Sequence, residues 1–321
     1  MELTTTTLQQ FFQLLDFSFQ NYLKQVPKFW DQIATEMPSA TEQNVYPFLA
    51  MYPGVREWIG PRIANNLASR SFTVVNKHWE TTMSMDKNKF ADDSYGFYSK
   101  ATEVAAIQIA EFRDRRVAQV IEAGISTNCW DGQYFFDTDH PVDPDNSAAG
   151  VQANKLVGAS YDLGTIASPT ADPLAPFAQA RAAMSLWKRD ADGQQMGTIG
   201  NVIMVHPNQE RQALQIANGA MTAQAVGASA AAATTNVYYG KVDVLVNPFL
   251  TVTSGNPWYL LATNRGIKPF LWQNRQDPQF VQLTAPTDTN VFMQRELKWG
   301  WDFRGEASYT FPFLAFRMSS T

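Results

Sequence analysis

Asp131, Asp137, Asp139, His140, Asp143 and Asp145 fall within one fifteen-residue stretch of a 321-residue chain. Carboxylates gathered beside an imidazole are the donor set that Mg²⁺ or Ca²⁺ takes, and a cation held there would point to a metal-dependent hydrolase. Asp137, Asp139 and His140 are the candidate ligands. The spacing does not follow the calcium-binding loop, because Gly150 comes too late and no glutamate closes the segment. The competing reading is a turn-rich loop: aspartates are ordinary turn formers, and Phe135-Phe136, Pro141 and Pro144 would anchor and shape it.

Little else in the chain suggests catalysis. His78 and His206 are far from this loop in sequence, and His206 precedes Pro207 at the end of an apolar run, where it suits a cap. There is no G-x-S-x-G elbow, phosphate-binding G-x-x-x-x-G-K-[ST] loop, H-E-x-x-H pair or dinucleotide fingerprint. The single cysteine, Cys129, excludes an internal disulfide and a multi-cysteine zinc site, and without a positioned base it reads as a small apolar residue. No catalytic or cofactor-binding residue is therefore expected.

Composition narrows the class further. At 45% hydrophobic residues and a net charge of −5, the chain can fold around a sizeable core. Its length suits about two domains, or one domain with insertions, at roughly 100–200 residues each. Charged residues make up 17%, below the roughly 25% of an average soluble protein. Uncharged polar groups are cheaper to desolvate, so this shortage favours association. No Lys/Arg-rich block is present to neutralise phosphates. No apolar run of about 20 residues occurs, and Met1–Gln10 lacks the basic and apolar parts of a leader, so neither membrane span nor secretion is expected.

The positioning elements follow from periodicity. Leu8, Phe11, Phe12, Leu15, Phe19, Tyr22 and Leu23 share one helix face within an aromatic N-terminal arm of residues 1–45. Phe29, Trp30 and Ile33 lie between Pro27 and Pro38 in a short second helix. This apolar face packs either on its own core or on a neighbouring subunit. Residues 46–62 are crowded with Pro and Gly, and Ser71–Met85 reads as extended with neither face consistently apolar, which suits a projecting hairpin. A helix is expected over Tyr98–Ala123, with Gly124 as its C-terminal cap. Further on come a helix over Asp172–Arg189, a buried strand before His206, a helix over Gln209–Ala217, and an Ala-rich loop over Asn218–Thr235. Strands are expected at Val242–Val246 and Trp258–Ala262. Helices and strands mix without a regular βαβ rhythm, so the fold class is α+β.

Several segments now assemble in order: Tyr46-Pro47, Arg56-Glu57-Trp58-Ile59-Gly60, Trp79-Glu80-Thr81-Thr82-Met83, Asp92-Asp93-Ser94-Tyr95-Gly96, and Asp131-Gly132-Gln133-Tyr134-Phe135-Phe136-Asp137-Thr138-Asp139-His140-Pro141. In these motifs, over residues 45–145, the chain resembles the major head subunit family of Mu-like bacteriophages and prophages. Beyond residue 150 the resemblance rests on element order and length.

The resemblance implies the Hong Kong 97-type capsid fold of tailed phages. It would comprise an N-terminal arm (1–45), a peripheral domain (46–171) with an E-loop hairpin at about 66–95 and a spine helix at 98–123, an axial domain (172–285), and a return to the peripheral domain (286–321). It implies a structural protein, without cofactor, whose copies form hexamers and pentamers of an icosahedral shell around double-stranded DNA. Scaffold, portal and decoration proteins would be its partners, and assembly would take place in the host bacterial cytoplasm before residence in the virion. The expected contact residues are Phe11, Phe12, Leu15, Phe19 and Trp30 on the arm, and Trp79, Lys87, Lys89 and Phe90 on the hairpin. Some shells of this fold join a lysine to a neighbour's asparagine, for which Lys87 and Lys89 are the candidates. The other readings are a cellular nanocompartment shell on the same fold and, more remotely, the metal-dependent hydrolase.

Overall fold

Leu8, Phe12, Leu15 and Phe19 line one side of helix α1 (Thr5–Gln25) and are buried, as their spacing requires. The structure is a computed structural model that describes residues 5–49, 69–92, 97–143, 146–167, 172–188, 193–226, 230–251 and 255–321. After α1 come α2 (Trp30–Ile33), β1 (Ala34–Pro38), β2 (Gln43–Leu49), β3 (Ser69–Val75), β4 (Lys77–Asp86), α3 (Lys87–Ala91) and the 27-residue α4 (Phe97–Ala123). The short strands β5 (His140–Pro141), β6 (Val151–Gln152) and β7 (Lys155–Val157) follow. Then come α5 (Leu174–Ser185), β8 (Val202–Val205), α6 (Glu210–Asn218), β9 (Met221–Val226), β10 (Ala230–Thr235), β11 (Asp243–Val246) and β12 (Trp258–Leu261). The chain closes with β13 (Phe270–Leu283), α7 (Thr289–Gln294), β14 (Glu296–Tyr309) and β15 (Ala315–Ser319). Among the described residues no helix is long and apolar enough to cross a membrane.

Two sheets organise these elements. One has the order β1-β13-β14-β4, with β1 parallel to β13 and the other pairs antiparallel. The other runs β11-β8-β12-β15-β7. On β14 the odd-numbered Leu297, Trp299, Trp301 and Phe303 turn to one face and meet α1 and the first half of α4. Phe19 stacks on Trp301 at 4.1 Å between ring centres, and Phe12 lies 5.5 Å from Trp299. The second half of α4 joins the two sheets: Val117, Val120 and Ile121 pack with Phe135, Phe136, Tyr259, Trp272 and Tyr309. The far face of the five-stranded sheet is covered by Phe177 and Met184 of α5 and Ala213 and Ile216 of α6.

Several expectations change on folding. The extended stretch at 71–85 does not form one hairpin: β3 pairs back with β2, and β4 is an edge strand against β14. The reason lies in β4, whose Met85 and half-buried Trp79 and Met83 pack into the α1 cluster, leaving Thr82, Ser84 and Glu80 outside. Gly124 is not in a left-handed conformation. A Cβ there would stand 2.7 Å from the Phe136 ring, so close packing, and not cap geometry, excludes a side chain. The Ala-rich segment is a hairpin, β9–β10, where a loop is expected. β13, whose residues fall in the expected axial domain, joins β14 and β1, while the final strand β15 joins the five-stranded sheet.

Arg116 and Glu306 tie α4 to the first sheet. Arg116 Nε donates to Glu306 Oε1 at 2.5 Å, and Lys77 Nζ of β4 stands 2.9 Å from Oε2, with the Glu306 side chain only 8% exposed. Glu306→Gln is expected to cost about 1–2 kcal/mol in urea unfolding, because two cations, both partly open to water, lose their charged partner.

Candidate functional site

The acidic loop folds as a knot around His140. Residues 128–134 make a tight turn, in which Asn128 bridges to Tyr134 and Gly132 takes φ 91°, a left-handed value that favours glycine. The turn brings Asp131 under His140, whose ring is 0% exposed. His140 Nδ1 donates to Asp131 Oδ2 at 2.6 Å; Asp131 Oδ1 accepts the Cys129 thiol at 2.9 Å and the Gln133 N–H at 3.0 Å.

On the other side of the ring, Nε2 lies 3.2 Å from Asn154 Oδ1. The orientation of that amide follows from its other bonds, since its Nδ2 donates to the carbonyls of Phe135 (2.7 Å) and Pro312 (3.1 Å) and its Oδ1 accepts the Asp137 N–H (2.9 Å). Both ring nitrogens therefore face oxygen atoms inside the protein, and the ring is held from two sides. Burial by itself would raise the Asp131 carboxyl, but the hydrogen bond and charge of His140, with help from Cys129 and Gln133, hold it below the ordinary range. Burial pushes the Cys129 thiol up, and the Asp131 charge adds to this, so the thiol keeps its proton.

Cys129, Asp131 and His140 present three donor atoms within 4.8 Å of one another. Each of those atoms is already engaged inside the protein, and the thiol is far from the thiolate a metal requires. The expected Asp137–Asp139–His140 ligand set is not assembled. Asp137 turns to the Thr138 N–H (2.8 Å) and toward Lys155, Asp139 faces solvent, and His140 points to Asp131 and Asn154. The loop is a polar strut that joins residues 129–140 to the last turn before β15, and the turn-rich reading of the aspartates is the one that fits.

A second buried acid holds the arm. Asp114 of α4 accepts the N–H groups of Phe29 (2.9 Å) and Trp30 (2.6 Å) through Oδ1. Burial raises its carboxyl to about 6 against the pull of those two bonds, with Asp31 and Glu111 adding to the rise. A raised folded value means stability that is fully present below the unfolded value of 3.8 and lost as pH climbs through about 6. The unfolding midpoint is expected to rise as pH falls from 7 to 5. Asp114→Asn, which keeps the acceptor and removes the proton, is expected to flatten that rise in a pH series of denaturant melts.

The expected contact residues fall into three groups. Phe12, Leu15, Phe19 and Trp30 are buried within their own chain and Phe11 is half-buried beside them, so in this fold the arm's apolar stripe is used up internally. Trp79 is half-buried, donates to the Gly305 carbonyl at 3.0 Å and lies 4.6 Å from Phe112. Lys89 is exposed, while the Lys87 N–H is held by the Arg295 carbonyl at 2.9 Å. The Phe90 side chain, Asp145 and the 56–60 motif lie outside the described residues.

What periodicity passed over is the opposite side of α1. Gln9, Gln10, Gln13, Leu14, Phe17 and Asn21 are exposed there, none of them is charged, and Leu14 and Phe17 are 60% and 65% exposed. Their signal was present: both sit half a turn away from the buried stripe.

A family model described as Mu-like prophage major head subunit gpT matches residues 8–166 and 251–321. The chain is 27% identical over 298 residues to the Mu-like prophage FluMu major head subunit of Haemophilus influenzae, covering 93% of this chain and 68% of that protein. It is 24% identical over 297 residues to the major capsid protein of Escherichia phage Mu, covering 92% and 68%. In structure it resembles a chain from the procapsid of bacteriophage JBD30, with a TM-score of 0.60 and 23% identity over 99% of this chain and 77% of that one. The unmatched segment, 167–250, holds α5 to β11, yet β8 and β11 lie in the same sheet as the matched β12, β15 and β7.

Proposed function

This chain belongs to the family of Mu-like prophage major head subunits, and on that premise we propose how its surfaces build a shell. The family's role is structural, the fold is that of tailed-phage capsids, and the place of such a subunit is the virion head. The match of both ends of the chain to the family model carries the reading. Copies form hexamers and pentamers that close an icosahedral shell around double-stranded DNA. Assembly takes place in the host cytoplasm with scaffold and portal proteins.

Three physical features support this reading. The outward side of α1 offers Leu14 and Phe17 beside the uncharged Gln10, Gln13 and Asn21, which a neighbouring copy can cover more cheaply than charged groups. A net charge of −5 gives the wall no excess of cations to hold DNA that must later leave. Modest contacts suffice, because many copies in one lattice multiply weak affinities. The proposed division keeps the arm and first sheet as the peripheral part and α5 to β12 with β15 as the axial part.

Electron microscopy and sedimentation of the purified chain test the reading. Rings, tubes or closed shells are expected. A chain that stays a single small species even when coexpressed with phage head partners would overturn it.

A further inference from the structure

The most exposed of the large apolar side chains among the described residues are Phe292 and Met293, 79% and 73% open, on the short helix α7 that joins β13 to β14. Val291 beside them is buried in the α1 cluster, and Asn290 Nδ2 bonds the carbonyls of Leu283 (3.0 Å) and Glu296 (2.7 Å). The two side chains thus stand on a helix pinned to both strands, as a rigid knob at the end of the hairpin.

The same hairpin carries an apolar groove. Phe280 packs into the α1 cluster, so by strand alternation its neighbours Val281 and Leu283 turn to the opposite face, where they are about half exposed. There Gly300 lies in register between Val281 and Thr82, and β4 runs so close to it that a Cβ would collide with the Thr81 carbonyl, so the floor between the strands is bare backbone. The groove these residues line with Lys298 measures about 260 Å³. α7 is anchored by Val291 toward the arm side, and the exposure of Val281 and Leu283 shows that the chain's own knob does not fill the groove.

We propose that the Phe292–Met293 knob of one copy seats in the Val281–Leu283–Gly300 groove of the next, a head-to-tail contact between two different patches of one hairpin. The inference rests on the shell reading above, and it names a contact that reading leaves open. A second copy is the occupant for two reasons. An aromatic side chain buries on the order of 150–250 Å², so knob and groove together cover only a few hundred Å². That falls well short of the roughly 1,000 Å² expected of an independent interface, but it suits a contact repeated around a ring of copies, where closure adds the contacts together. The groove's rim is also electrically balanced, because Lys298 pairs with Glu296 at 3.2 Å and so presents no net charge to repel a like copy.

Cross-linking between separately tagged variants tests it. Cys129 is buried, so introduced thiols can be addressed selectively. Phe292→Cys and Val281→Cys chains are coassembled, treated with a short bismaleimide and resolved by denaturing electrophoresis, with microscopy confirming the particles. The expected result is a mixed dimer that needs both variants, and at least a tenfold rise in the protein concentration needed for assembly for Phe292→Ser with an unchanged unfolding midpoint. Dimers from Phe292→Cys alone would overturn the head-to-tail arrangement. Intact particles without any cross-link would overturn the contact while leaving the shell reading in place. A parent chain that forms no particles even when coexpressed with phage head partners would overturn both.

Discussion

A chain carrying Leu14→Gln and Phe17→Gln is expected to unfold at the parent's midpoint and yet fail to build particles. Both side chains project from the outer side of α1, away from the cluster in which Phe12, Leu15 and Phe19 are buried. Glutamine is a good helix former, so α1 itself is undisturbed, and exposed substitutions of this kind shift stability by no more than about 0.5 kcal/mol. Covering each original side chain with a neighbour would contribute roughly 1.5–3 kcal/mol. Losing both therefore weakens each contact by about a hundredfold or more, and the loss recurs at every copy. The control is Phe12→Ala, which opens a cavity beside Trp299 and Phe280 and is expected to cost about 3–5 kcal/mol of folding stability. Denaturant melts and electron microscopy on the same samples separate the two outcomes. If the double variant assembles like the parent, the outer side of the arm is not a subunit contact.

His140→Ala is expected to lose about 3–5 kcal/mol of folding stability, because it leaves the Asp131 carboxylate buried without its hydrogen-bond partner. Asp131→Asn with His140→Gln, which removes the buried carboxylate together with its imidazole partner, is expected to recover most of that loss. The pH dependence has a definite sign. The folded carboxyl of Asp131 titrates below its ordinary value, so its contribution is present above the unfolded value and disappears as pH falls through the folded one. The parent should therefore lose stability at the acid end, and His140→Ala should lack that part of the slope. EDTA is expected to leave the parent's midpoint unmoved, since the polar atoms of the knot are satisfied by one another. A drop on chelation would return the loop to the metal reading. The two buried acids act in opposite directions: below pH 6 Asp114 favours the folded chain, while at lower pH Asp131 ceases to do so.

The lysines on α3 show how tertiary structure redirects a sequence reading. The sequence places Lys87 and Lys89 on a projecting hairpin, whereas the strand before them is held along its length by β14, and the Lys87 backbone bonds to Arg295. A threonine-rich strand of mixed polarity looks the same whether it projects into solvent or forms a sheet edge, because in both cases one face stays wet. Only the partner strand, more than two hundred residues away, distinguishes them.

What local chemistry dictates was legible before folding. The i, i+4, i+7 stripe of α1 named its buried residues, the run without Pro or Gly from 98 to 123 named α4 to within a residue, and the ordered motifs of residues 45–145 named the family. These are properties of neighbours along the chain, and their physics acts within one or two turns. The fate of the acidic loop was decided elsewhere. Whether Asp131, Asp137, Asp139 and His140 would hold a cation or one another depended on Asn154 and on the Pro312 carbonyl, which reach the loop only when β15 takes its place in the second sheet. The same holds for Asp114 meeting Phe29 and Trp30, and for Glu306 meeting Arg116. A buried charge is stable only beside a partner that replaces its lost water, and long-range folding supplied that partner.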